Sequence, residues 1–299
     1  MFQYHKITDI FCFVDEFYKE FLRVTDGHII GNKAKKPCIM SGSEVITIVI
    51  LFHISGFRTF KHFYKFYVQQ HMKEEFPNTV SYNRFVELQK TYLLPLCLLV
   101  KTCCLGPCTG ISFIDSTPVR VCNNKRIKRN KVFKGIASTG KSTMGWFYGF
   151  KLHLVVNDKG EVIDFQITQA HVDDRDRLKA DTLLKKIFGK LYGDKGYVGA
   201  QITSLLFDKG IHLVTGIRNN MKNQLMEMKD KILLRKRAVI ETINDELKNI
   251  CQIEHSRHRS FSNFIANMVA GIAAYHFFPK KPAIKFQTNK TSNQIQLFY

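Results

Sequence analysis

Acidic residues are scarce in this 299-residue chain: 25 Asp and Glu stand against 45 Lys and Arg, a formal charge of +20. A deficit of that size describes partners rather than fold, and it points to a polyanion, either nucleic acid or an anionic membrane surface. The membrane alternative has no anchor to go with it. No secretory signal is visible, since Met1 to Glu20 mixes charges through its apolar residues. The longest uncharged apolar run, Phe261 to Phe278, contains Ser262, Asn263, Asn267 and His276 and barely reaches bilayer length, so it reads as a buried helix. Paired zinc ligands are also missing. Cys103, Cys104 and Cys108 cluster, but no second Cys/His pair sits nearby at zinc spacing, and the eight cysteines read as reduced thiols of a cytoplasmic protein. There is no internal repeat.

What is present suffices for a core, since 45% of residues are hydrophobic. The charge is uneven: residues 1–110 carry 13 Lys and Arg against 9 acids, residues 111–299 carry 32 against 16, so the polyanion is expected mostly against the second part. The first hundred residues have helical periodicity in Ile7–Phe21, Val45–Ile54, Thr59–Val68 and Tyr92–Val100. Ser41 and Glu44 have capping-box spacing, and Ser81 starts a further helix. Short helices around tight breaks suit either a helix-turn-helix or a plain bundle.

From Gly110 the texture changes to strands at Ile111–Cys122, Trp146–Asn157 and Glu161–Thr168, the last two joined by the turn signal Asn157-Asp158-Lys159-Gly160. A helix is expected over Asp174–Phe188, a short strand at Lys190–Tyr192, a helix at Gln201–Phe207, a strand at Ile211–Ile217, and helices at Asp230–Cys251 and Phe261–Phe278. Three strands followed by alternating helix and strand predict an α/β fold with a mixed sheet flanked by helices. The expected division is a helical domain over 1–108, an α/β domain over 109–278 and a basic, disordered tail over 279–299.

Three acids stand out. Asp115 lies within the first strand, where a carboxylate is costly to bury without a cation or hydrogen bonds. Asp194 follows a short strand between Gly193 and Gly196, which let the backbone turn tightly. Glu241 lies on a long helix whose Ile240, Ile243, Leu247 and Ile250 face inward, while Arg237, Glu241 and Lys248 share a neighbouring face. Acids from two strand ends and a helix can converge on hard cations, and the flanking bases suit phosphate. Each acid alone reads more simply as a turn, cap or ion-pair residue, and Glu241 as the partner of Arg237 at i−4.

Taken together, these segments resemble the DDE transposases of bacterial insertion sequences. The family's helix signature, Y-x2-R-x3-E-x6-K, is matched by Arg237, Glu241 and Lys248, with Leu234 where the tyrosine would stand. Phe113-Ile114-Asp115-Ser116-Thr117, Gly145 to His153 and Gly193-Asp194-Lys195-Gly196-Tyr197 resemble the family's first acid segment, second strand and second acid segment. The helical region including Phe76-Pro77-Asn78 and Ser81-Tyr82-Asn83-Arg84-Phe85 resembles its DNA-binding part. The resemblance implies a ribonuclease-H-like catalytic core with an N-terminal all-helical DNA-binding domain. It implies Asp115, Asp194 and Glu241 as catalytic ligands of two Mg2+ ions, which Mn2+ can replace, and end cleavage followed by strand transfer into target DNA. The implied partners are element terminal repeats, target DNA and at least one further protomer, on the bacterial nucleoid in the cytoplasm. Arg237, Lys248, Lys125, Arg126, Lys128, Arg129 and Lys195 are the expected DNA contacts.

Two alternatives compete with that reading. Gly135 to Ser142 matches the P-loop pattern of a nucleotide hydrolase, although a P-loop needs a strand before it and a helix after it. A non-catalytic DNA-binding protein would explain the charge alone. His171, Asp173, Asp174 and Asp176 form an acidic knot in which Asp174 reads as a helix cap or a substitute metal ligand. His255, Arg257, His258 and Arg259 read as a basic loop.

Overall fold

A computed structural model describes residues 4–25, 38–179, 182–217, 225–254, 258–288 and 295–297. They form two compact units, Met1–Cys104 with Glu246–Phe278, and Leu105–Asp245 with Pro279–Tyr299.

The first unit is helical: α1 (Tyr4–Thr25), α2 (Gly42–Ile54), α3 (Phe60–His62, continuing as a π-helical segment Phe63–Val68), α4 (Tyr82–Thr91) and α5 (Leu93–Cys103). The capping box at the head of α2 is complete, with Glu44 N donating to Ser41 Oγ at 3.1 Å and Ser41 N to Glu44 Oε2 at 2.6 Å. Ser81 likewise caps α4. α2 is buried from Val45 to His53, apolar all round, and so needs neighbours on every side. One of them is the last helix, Phe261–His276, buried from Ala266 to Tyr275 and packed against α2 and α5. The expected boundary at 278 therefore differs from what is observed, because two all-round apolar helices shield each other. No helix among the described residues is long and apolar enough to cross a membrane.

The second unit is built on a mixed sheet with strands β1 (Ile111–Cys122), β2 (Ser138–Ser142), β3 (Gly145–Asn157), β4 (Val162–Gln169), β5 (Gly189–Gly193) and β6 (Ile211–Thr215). Along the sheet the order is β2-β3-β1-β5-β6, with β4 pairing the far half of β3. The pairs among β1 to β4 are antiparallel, and β1–β5 and β5–β6 are parallel. Helices α6 (Asp174–Lys179) and α7 (Ala200–Asp208) cover one face, where Ile114, Val155, Leu191 and Leu213 pack with Leu178, Ile202 and Leu206. On the other face Phe113 and Tyr192 stack at 5.4 Å, and α8 (Met228–Arg235) and α9 (Ala238–Asp245) supply Leu233, Ile240 and Ile243. Both faces being covered, the central strands lose the polar alternation of a one-sided sheet.

Four expectations differ in detail. β2 occupies the P-loop look-alike. Its Lys141 and Ser142 pair with Trp146 and Gly145 of β3, and no helix follows them. The amide cradle at a helix N-terminus does not form, and a nucleotide hydrolase at Gly135–Ser142 is excluded. The helix expected over Asp174–Phe188 ends at Lys179, with residues 180 and 181 outside the described ones. The long helix breaks at Lys236–Arg237 and turns π-helical at Glu246–Ile250. In the tail expected to be disordered, Phe286–Thr288 pairs antiparallel with Ile295–Leu297.

Candidate active site

Asp115 and Asp194 are set by the same strand register. β1 and β5 run parallel with Phe113 opposite Tyr192, and each acid lies two residues beyond its member of that pair. Side chains two apart share a face, so both acids follow the Phe113–Tyr192 stack toward α8 and α9. Asp194 ends its strand by capping the 3₁₀ turn Lys195–Tyr197, with Lys195 N donating to its Oδ1 at 2.7 Å. Gly193 is closely fitted there: a Cβ would come within 3.1 Å of Tyr197 Cδ2 and 3.2 Å of Ile114 Cγ2, so those side chains would have to shift. Gly196 is not, since its φ is ordinary and a Cβ would meet open space.

α9 supplies the rest. Arg237, at its head, reaches both Asp115 (Nη1 to Oδ1, 3.5 Å) and Glu241 (Nη2 to Oε1, 2.6 Å). Its guanidinium, expected on phosphate, lies between two of the three acids and is only 18% exposed. Asn244, one turn beyond Glu241 and buried, donates its Nδ2 to Asp115 Oδ2 at 3.0 Å. Burial raises the Asp115 carboxyl to about 6; Arg237 pulls it down, while Glu241 and Asp194 push it further up. Both other acids are therefore close enough to repel it.

The acidic knot holds cations rather than awaiting them. Asp174 accepts from Lys151 Nζ at 3.0 Å, Asp173 pairs with Arg175 at 2.6 Å, and Asp176 pairs with Lys179 at 3.2 Å. His153, wholly buried beside Asp174, shares a hydrogen bond with Thr168 Oγ1 at 2.8 Å, and burial lowers it to about 4. His153 faces Ser116 across the β1–β3 ladder, next to Asp115 in the chain. Asn244 and His153 went unassigned in the sequence. The only signal for Asn244 was its three-residue step from Glu241.

Of the expected DNA contacts, Lys125, Arg126, Lys128 and Arg129 are exposed on the 3₁₀ segment Asn124–Arg129, and Lys195 is exposed beside Asp194. Lys248 belongs to the helical unit, where it pairs with Glu254 at 3.8 Å. In the basic loop, residues 255–257 lie outside the described ones, and burial lowers His258 to about 4, so it adds no charge at neutral pH.

The donor chemistry fits a divalent cation: Asp115 and Glu241 share one guanidinium, and Asp115 is raised first by burial and further by the charges of Glu241 and Asp194. Among the described residues no three His, Cys, Asp or Glu side chains are drawn to metal-ligand spacing, with Glu241 turned to Arg237 instead.

A mixed sheet flanked by helices, with acids at two strand positions and on a helix, is the arrangement a DDE core would use. The model for the transposase DDE domain matches residues 105–261, just over half of the chain, and the protein belongs to that family. A comparison with curated proteins gave no match.

Proposed function

We propose that this transposase cuts DNA at the ends of an insertion sequence and joins the freed ends to target DNA, with Asp115, Asp194 and Glu241 as its reactive centre. The observation that carries the reading is the shared β1–β5 register, which sets Asp115 and Asp194 side by side, with Glu241 tied to Asp115 through Arg237. Members of the family use divalent metal ions. Here the three acids would hold Mg2+ ions, two in number and replaceable by Mn2+, which supply Lewis-acid stabilisation of the attacking and leaving oxygens.

The chain's own residues do the positioning. Asn244 fixes one oxygen of Asp115, leaving the other toward Arg237. Arg237 neutralises Asp115 and Glu241 at rest, and with cations held by the acids its guanidinium would be free to contact a DNA phosphate. Lys125, Arg126, Lys128, Arg129 and Lys195 hold the backbone in register. Water attacks the phosphorus at the element end, the 3′ oxygen leaves as a 3′-OH, and the flank keeps a 5′-phosphate. That 3′-OH then attacks a target phosphorus and displaces a target 3′ oxygen, one bond forming as one breaks. The helical unit grips the terminal repeats, and at least two protomers hold two ends together.

The test is a strand-transfer assay with a labelled pre-cut element end and a supercoiled plasmid. Metal-dependent joining lost in Glu241→Gln supports the reading. Cleavage without joining would make the protein a nuclease, and binding without either would leave only a DNA-binding role.

A further inference from the structure

The hairpin of β2 and β3 ends in an exposed apolar tip that folding does not explain. Ser142 pairs with Gly145, closing a two-residue turn at Thr143–Met144. Met144 is 82% exposed and Trp146, the single tryptophan of the chain, is 61% exposed. The tip is nonetheless built, not loose. Ser142 Oγ donates to Gly145 O at 3.1 Å and accepts from Met144 N at 3.3 Å, and Gly145 has a φ of +98°, which favours glycine. Asn124 Nδ2 donates to Trp146 O at 2.8 Å, pinning the Asn124–Arg129 segment to the strand that carries the indole.

The surroundings say what covers that surface. Residues 116–157 contain no Asp or Glu. Lys141 is the cross-strand partner of Trp146, and Lys125, Arg126, Lys128 and Arg129 are exposed on the pinned segment. An exposed aromatic ring among Lys and Arg of a segment without acids suits neither an apolar protein patch nor a basic partner. It suits the two parts of a nucleotide, phosphate for the cations and a base for the ring. A duplex hides its base faces, so the ring needs a base that is unpaired or unstacked.

We propose that the β2–β3 hairpin tip is a base-stacking platform, in which Trp146 receives an unstacked DNA base while Lys125, Arg126, Lys128, Arg129 and Lys141 hold the neighbouring phosphates. The platform lies away from the chemistry. Leu154, the β3 residue opposite Asp115, is eight residues beyond Trp146, and at about 3.3 Å per residue this puts the indole roughly 26 Å along the strand from the acids. Trp146 therefore orders DNA flanking the cut and touches no reacting atom. The inference rests on the DNA reading but on none of the metal chemistry.

Because Trp146 is the single tryptophan, its fluorescence reports this site without a label. The full-length protein in metal-free buffer is titrated with a single-stranded thymidine 20-mer and with a fully paired duplex of equal length, while anisotropy of labelled DNA follows binding. The single strand should quench Trp146 and shield it from acrylamide, and the duplex should do so much less. Trp146→Ala should weaken single-strand binding about tenfold and duplex binding less than twofold, with Trp146→Phe keeping most of the affinity. Unchanged fluorescence at saturating single strand, or equal losses on both DNAs in Trp146→Ala, would overturn the platform. A quenched Trp146 in a protein that fails to join ends would leave the platform standing and the transposition reading refuted.

Discussion

Burial and two neighbouring acids hold the Asp115 carboxyl at about 6, well above the ordinary carboxylate range, with Arg237 and Asn244 as its stabilising contacts. The folded protein binds this proton more tightly than the unfolded chain, so the site costs little stability at pH 4, and the cost builds between about pH 4 and 6 and levels off above that. Asp115→Asn should therefore stabilise the metal-free protein by about 1–2 kcal/mol at pH 7.5, after allowance for the lost Arg237 contact, and by nearly nothing at pH 4. Denaturant midpoints at the two pH values check this; equal shifts at both would contradict it. Arg237 stands between Asp115 and Glu241 as a resident cation. In Arg237→Gln the metal-free, DNA-free protein should bind Mn2+ several-fold more tightly by calorimetry, even though DNA joining falls; weaker Mn2+ binding would refute the resting role of Arg237. Asp115, Asp194 and Glu241 were legible as separate residues, and the spacing of Arg237, Glu241 and Lys248 as a pattern. Which way the Arg237 side chain points was not, because a guanidinium at i−4 from an acid fits an ion pair and a phosphate contact equally well.

Strands were more legible than helix limits. β1 was readable end to end because β-branched residues surround a single acid, and the α2 start because Ser41 and Glu44 satisfy each other's donors. Ser41→Ala should lower the stability of the helical unit by about 1 kcal/mol, measurable by denaturant melt. β2 was hidden inside Gly135–Ser142, since five small and polar residues have no period of their own and become a strand only by pairing with β3. The break at Lys236–Arg237 was hidden too, since both are good helix formers. Gly149, where β3 crosses β1 and β2, has no room for a side chain, since a Cβ there would strike Val119 O. Gly149→Ala should cost more than about 2 kcal/mol and lower cleavage with it; a soluble, fully active Gly149→Ala protein would show the crossing to be more pliant.

For the whole molecule, charge separates function from fold. A net of +20 does not help the chain fold, but it commits the protein to a polyanion, and DNA binding should weaken steeply and log-linearly with salt. The division into units was only half legible. The change of texture near Gly110 is readable in the sequence, but the grouping of Glu246–Phe278 with the helical unit depends on which apolar helix shields which, a long-range choice that periodicity does not record. The central claim is that three acids from β1, the end of β5 and α9 act as one metal-dependent cutting site. Its most direct test is nicking of a labelled duplex carrying the protein's own element end, in Mg2+, by wild type and by Asp115→Asn, Asp194→Asn and Glu241→Gln. Wild type should nick at the end junction, and each variant should lose about 100- to 1,000-fold or more of that activity with DNA binding retained. Wild-type nicking rates in any one of the three would contradict the claim.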